Sequence, residues 1–383
     1  MEFRDLKEQY RRLKADIDRA LVETATSGQF IMGGAVKELE TELAQYVGVR
    51  HCISCANGTD ALTLALKAWG IGAGDAVFVP DFTFFSSAEI VALEGATPIF
   101  VDVCPETFNL DPESLKKAIT AVRNEGRLKP KAVVAVDLFG LPADFATIRN
   151  LAREEHLFLL EDGAQGFGGS IDNQRACSFG DIATTSFFPA KPLGCYGDGG
   201  AVFTENDEWA ALIQSYRVHG KGSDKYDNVR IGLNSRLDTI QAAILKVKLA
   251  AFRSYELQAV NHAASQYGQR LNGLGNLLTS PLVPSRFGSS WAQYTIRICD
   301  KATRSELQAF LKNNGIPSMI YYPTPMCRQT AFVQYKKYVE TPVAQHLCDT
   351  VLSLPMHPYL TTPDIDCICG HIADFFHQHS KQS

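Results

Sequence analysis

Two unbroken apolar runs of strand length, Ala132 to Val136 and Leu157 to Leu160, flank a helical pattern over Phe145 to Arg153. A strand without a polar face must be covered on both sides, as happens where helices cross over between parallel strands. The same rhythm extends upstream. His51 to Cys55 reads as a strand that passes through Asn57-Gly58-Thr59-Asp60 into a helix with Leu62, Ala65, Leu66 and Trp69 on one face. Strand Ala76 to Val79, a helix around Ser86 to Leu93, strand Pro98 to Val103 and a helix capped by Asp111, with Pro112 in its first turn, continue it. Ala183 to Phe188 and Ala201 to Thr204 supply two further strands. The expectation is an α/β large domain over residues 26–250, with a mostly parallel seven-stranded sheet flanked by helices.

Either side of this region the pattern differs. Glu2 to Thr26 mixes charge with scattered apolar residues, as a surface helix does, and residues 1–25 are expected to pack on the small domain. Val36, Leu39, Leu43 and Tyr46 form a helical face that Gly48 ends. After a linking stretch, His219 to Ser235, the residues Leu237, Ile240, Ile244 and Val247 begin a long helix. Further on, Ala292, Tyr294, Ile296 and Ile298 alternate with Gln293, Thr295 and Arg297, which marks a half-buried strand. Thr303 and Glu306 read as a capping box ahead of a helix stopped at Gly315. Residues 251–383 are therefore expected to form a smaller α+β domain.

A formal charge of −5 advertises no basic face for nucleic acid. No apolar run approaches the ~20 residues that span a bilayer, and the polar start MEFRDLKEQY is no secretory signal. The expected location is the cytoplasm. The ten cysteines are scattered and expected to be free thiols. Cys52 and Cys55 form a CxxC and Cys367 and Cys369 a CxC, but no second pair follows at zinc-site spacing, so no metal is expected.

Three strand-end loops carry chemistry, at the edge of an α/β sheet where ligands bind. Thr185 to Gly200 holds Lys191 among Phe187, Phe188, Pro189 and Pro192, apolar surroundings that favour a neutral, nucleophilic amine; a lysine snorkelling from a core strand reads equally well. Gly58-Thr59-Asp60 is an anion cradle at a helix N-terminus, or simply a good cap. Asp162 ends an apolar strand and needs a partner or a cation, unless it caps the next helix. Ser186 adds a hydroxyl. An amine, an acid and an anion cradle together are what pyridoxal 5'-phosphate requires for its aldehyde, ring nitrogen and phosphate.

These loops, with Phe3-Arg4-Asp5-Leu6, Ser27 to Gly33, Glu161-Asp162-Gly163-Ala164-Gln165, Gly232 to Asp238 and Leu354-Pro355-Met356-His357-Pro358, resemble the DegT/DnrJ-type sugar-nucleotide aminotransferases, pyridoxal-phosphate enzymes of fold type I. The resemblance covers essentially the whole chain. It implies Lys191 as the Schiff-base lysine, Asp162 on the ring nitrogen, Gln165 against the ring hydroxyl and Phe84 stacked on the ring. Thr59, the Asp60 backbone N–H and Ser186 would hold the phosphate, with Asn234 reaching it from the second subunit of a homodimer.

The resemblance also implies glutamate as amino donor and a nucleotide-linked keto sugar as acceptor, in polysaccharide biosynthesis. The long Gly197-Asp198-Gly199-Gly200 turn is similar to that of members aminating sugar C3, and SCANGTDAL to those acting on UDP-linked 2-acetamido-2-deoxy-3-keto-hexuronic acid. The alternatives are a dTDP- or GDP-linked keto-deoxyhexose, the family's dehydratases, which carry histidine at the lysine position, and a non-catalytic regulator on the same fold. Arg236 is the candidate for a uronate carboxylate, and His357 and Tyr359 for the same end of the site. Tyr321 stands where a histidine often precedes Tyr-Pro, and the segment Val122 to Lys131 is longer than usual; both are expected to lie near the sugar or nucleotide.

Overall fold

The computed structural model describes residues 1–224 and 226–379. Its central sheet contains β1 (His51–Cys55), β2 (Asp75–Pro80), β3 (Thr97–Val101), β4 (Lys129–Val136), β5 (Phe158–Asp162), β6 (Ile182–Ser186) and β7 (Gly200–Thr204). The spatial order is β1-β7-β6-β5-β4-β2-β3. β7 alone runs against its neighbours, so the other six strands end at one edge.

Alternate residues of these strands enter different cores, which is why their sequences show no polar face. Val77, Val79, Val134 and Val136 join a cluster under the helices α3 (Gly58–Ala68), α4 (Ser86–Leu93) and α7 (Asp207–Tyr216). Ala76, Phe78, Val133 and Ala135 point the other way, to α5 (Pro112–Glu125) and α6 (Phe145–Glu154). On that second face, Ala201 and Phe203 of β7 meet α2 (Gly34–Val47) and α8 (Thr239–Ala251). α1 (Leu6–Ser27) lies along α8. Near its start, Phe3 O accepts from Met356 N (3.2 Å) and Gln9 Nε2 donates to Glu256 (3.0 Å).

A second core surrounds the antiparallel sheet β8 (Leu278–Thr279), β9 (Tyr294–Ile298) and β10 (Val351–Leu354). Over it pack α9 (Leu257–Leu271), α10 (Lys301–Asn313) and α12 (Thr362–His379), whereas α11 (Pro342–Thr350) sends Ala344 and Leu347 into the core of the large sheet. Among the described residues no helix is long and apolar enough to cross a membrane. All ten cysteines are free.

Two expectations are corrected. α10 is capped by Asp300, whose carboxylate accepts the Thr303 N–H at 3.0 Å, because Asp300 precedes the first helical residue and Thr303 already lies inside the helix. The Val122 to Lys131 segment is the end of α5, a left-handed Gly126 and the start of β4. It therefore lies at the edge opposite the strands' carboxyl ends, away from any sugar bound there.

Candidate active site

Gly58 opens α3 at the end of β1, and a Cβ on it would fall 2.7 Å from the Cβ of Ser186 at the end of β6. Only glycine permits that approach. The first turn of α3 is thereby set beside Ser186, and Thr59 Oγ1 lies 2.8 Å from the hydroxyl of Ser86 at the start of α4. The Asp60 N–H is committed elsewhere in this state: the cap residue Asn57 accepts it at 2.8 Å. The anion donors brought together here are the Thr59 and Ser186 hydroxyls, with Ser86 as an unforeseen third.

Asp162 ends β5 fully inside the protein. Its Oδ2 accepts from Ser87 Oγ at 2.7 Å and its Oδ1 from Ala164 N at 3.2 Å. Burial raises its pKa, against the pull of those two hydrogen bonds and of Lys191. Ser87 is in turn 3.1 Å from Thr83 Oγ1. Gln165 is fixed at both ends of its amide: Oε1 accepts from Phe139 N (2.8 Å) and Nε2 donates to the Tyr322 hydroxyl (3.1 Å).

Lys191 sits in the turn after β6, where its own N–H donates to Phe188 O (2.9 Å). Burial lowers the pKa of its amine and the Asp162 charge opposes that fall. Its Nζ lies 5.9 Å from the centroid of the Phe84 ring, and that ring, 50% exposed, presents an open face above the lysine. A neutral-leaning amine, a buried acid still short of a full counter-charge, an exposed ring and a hydroxyl-lined helix start thus converge at the carboxyl edge of the sheet. Pyridoxal phosphate fits this set, since its ring nitrogen would give Asp162 the cation that burial makes it need.

The remaining sequence candidates divide. Tyr321 is half-buried, with its ring 6.2 Å from that of Phe3 and 5.6 Å from that of Tyr322. Arg236 donates to the side chain of Asn234, so the two are paired with each other; no hydrogen bond or ion pair among the described residues ties either to Lys191 or Asp162. His357 and Tyr359 do not form an open substrate wall. His357 is buried, and burial together with the charge of Arg4 lowers its pKa to about 4. The Tyr359 hydroxyl donates to Glu256, the carboxylate that also takes Gln9. The turn that carries them is covered by the N-terminal residues and Glu256.

Ser87, Tyr322 and Arg4 contribute to the site without having been singled out. Tyr322 is the tyrosine of the Tyr-Pro pair already noted, so a signal for it existed. Ser87 was only one serine in the first turn of the helix expected around Ser86 to Leu93, and Arg4 had no signal beyond its motif.

Parallel strands with crossover helices, a second α+β domain and a lysine, acid and anion cradle at the strand ends define a pyridoxal-phosphate-dependent aminotransferase of fold type I. Residues 11–373 match the DegT/DnrJ/EryC1/StrS aminotransferase family, and the chain belongs to it. It is 44% identical over 98% of its length to the whole of a UDP-2-acetamido-2-deoxy-3-oxo-D-glucuronate aminotransferase from Pseudomonas aeruginosa. A pleiotropic regulatory protein from Geobacillus stearothermophilus is 41% identical, over 97% of both chains. The crystal structure of a DegT/DnrJ/EryC1/StrS aminotransferase from Brucella abortus superposes with a TM-score of 0.94 at 48% identity, covering 98% of this chain and 99% of that one.

Proposed function

We propose that the enzyme moves the amino group of glutamate to the C3 keto carbon of a UDP-linked 2-acetamido-2-deoxy-3-keto-hexuronic acid, as a cytoplasmic homodimer serving cell-surface polysaccharide synthesis. The observation that carries this reading is the whole-length similarity to the Pseudomonas enzyme combined with Lys191 facing Asp162. Pyridoxal phosphate, when bound, supplies the electron sink for carbon–nitrogen exchange. Lys191 would hold the cofactor and then, once released, carry the proton between substrate and cofactor carbons. Asp162 would keep the ring nitrogen protonated, Gln165 and Phe84 would fix the ring, and Thr59 and Ser186 would take the phosphate, with Asn234 contributed by the second subunit. Arg236 beside it is the cation proposed for the sugar carboxylate.

A panel of UDP-, dTDP- and GDP-linked keto sugars offered with glutamate tests this, with aminated product followed by mass. Preferential amination of a dTDP- or GDP-linked deoxyhexose would overturn the substrate assignment while leaving the reaction class intact. A second reading, a regulator, is favoured by the similarity to the pleiotropic regulatory protein. It predicts full biological activity from a Lys191→Ala variant, whereas the enzymatic reading predicts none.

A further inference from the structure

The carbonyls of Lys191 and Pro192 need partners. Pro192 has no N–H, and the two prolines flanking the lysine keep this turn out of any helix or sheet ladder that would satisfy them. The partner comes from the far end of the chain. Arg4 donates one guanidinium nitrogen, NH2, to Lys191 O at 2.8 Å and to Pro192 O at 3.3 Å. The same guanidinium lies within electrostatic range of Glu256 and Tyr359. The neighbouring residue makes a second contact: the Phe3 ring meets Tyr321 edge-on at 6.2 Å, and Tyr321 adjoins the Tyr322 that holds Gln165.

We propose that Phe3 and Arg4 form a positioning strap, in which Arg4 fixes the backbone of the catalytic lysine and links it to Glu256 and to the Tyr321–Tyr322 wall. The hydrogen bonds of Arg4 to this stretch go to main-chain carbonyls, so it acts through the lysine's backbone. Arginine suits the task because its rigid planar head holds a fixed aim on successive carbonyls, whereas an ammonium on a flexible stem does not. A displacement of about 1 Å in a reacting group costs about a hundredfold in rate, which is the scale on which a loosened lysine turn should be felt.

This inference rests on Lys191 being the cofactor lysine, so its test includes a readout that needs neither cofactor nor substrate. In apoenzyme, the pH midpoint for modification of Lys191 by an amine-acylating reagent, read by peptide mass, reports how desolvated the amine is. Arg4→Lys keeps a cation near Glu256 but not the planar head; Arg4→Met removes both. For Arg4→Lys we expect unchanged thermal stability, a labelling midpoint raised toward that of an ordinary lysine, and a kcat lowered about tenfold with little change in KM for glutamate. Arg4→Met should show a larger shift and a larger fall in kcat. A labelling midpoint unmoved in Arg4→Lys overturns the proposal, even if Arg4→Met fails to fold. A shifted midpoint in a protein that aminates no keto sugar upholds the strap and rejects the functional reading instead.

Discussion

Two lysines in this protein have depressed pKa values for the same physical reason and have different prospects. Burial lowers both: Lys191 in the turn after β6, and Lys248 in the last turn of α8, where the value falls to about 8. Lys248 is 1% exposed, lies 5.0 Å from the Tyr196 ring centroid and is pushed down further by the charge of Arg4. Lys191 is only half-buried, faces a half-exposed aromatic ring and has Asp162 across the site. Desolvation makes an amine neutral. Reactivity also requires room for an electrophile, and the fully buried Lys248 has none.

The sharpest way to break the contrast is to remove each amine. Lys191→Ala should lower kcat by about 10⁴-fold, the scale of losing both nucleophile and proton carrier, while Lys248→Met should stay within about threefold of the parent in a glutamate-dependent amination assay. Methionine matches the stem and removes a buried charge, a kind of change that is often neutral or stabilising. Equal losses in the two variants would erase the distinction.

Next in size is Asp162, the acid whose charge acts on Lys191. Asp162→Asn should cut kcat by about a hundredfold, the scale of removing a preorganised electrostatic partner, and should weaken retention of the cofactor on dialysis, followed by visible absorbance. Gly58→Ala comes third. Its Cβ would press on Ser186, and overpacking of about 1–3 kcal/mol should appear as a roughly tenfold or greater weakening of pyridoxal phosphate binding in a titration, with kcat at saturation less affected.

The smallest effect concerns pH. Because folding depresses the Lys248 pKa from 10.5 to about 8, the unfolded chain binds the extra proton between those values. Stability contributed through this group therefore rises as pH increases from about 8 to 10.5, and is lowest below that window, where the buried amine must carry charge. Denaturant midpoints of Lys248→Met, measured across this range, should lack the rise seen in the parent. A parallel pH dependence in the two proteins would assign the rise to other groups.

The strand–helix alternation was readable because buried parallel strands cannot hide their composition, and Lys191 and Asp162 stood out as candidates because a charge beside apolar residues is conspicuous. The sequence around His357 and Tyr359 gave no sign of their burial, because Glu256, Gln9 and Arg4 arrive from elsewhere in the chain to cover them. Ser87 was missed since a serine in the first turn of a helix has no distinguishing neighbourhood; its role is defined only by the 2.7 Å contact with Asp162, 75 residues away.

The residue pattern by itself determined the layers of the large domain and the edge at which chemistry belongs, and singled out an amine and an acid there as candidates, because period, apolarity and isolated charge are local properties. Only the tertiary structure decided which hydroxyls surround Asp162, that Glu161 behind it is buried on three backbone N–H groups, and that Arg4 grips a carbonyl 187 residues distant. Such partnerships form when the chain closes on itself, and the hydrogen-bonding demand of a buried atom does not specify where along the sequence its partner will lie.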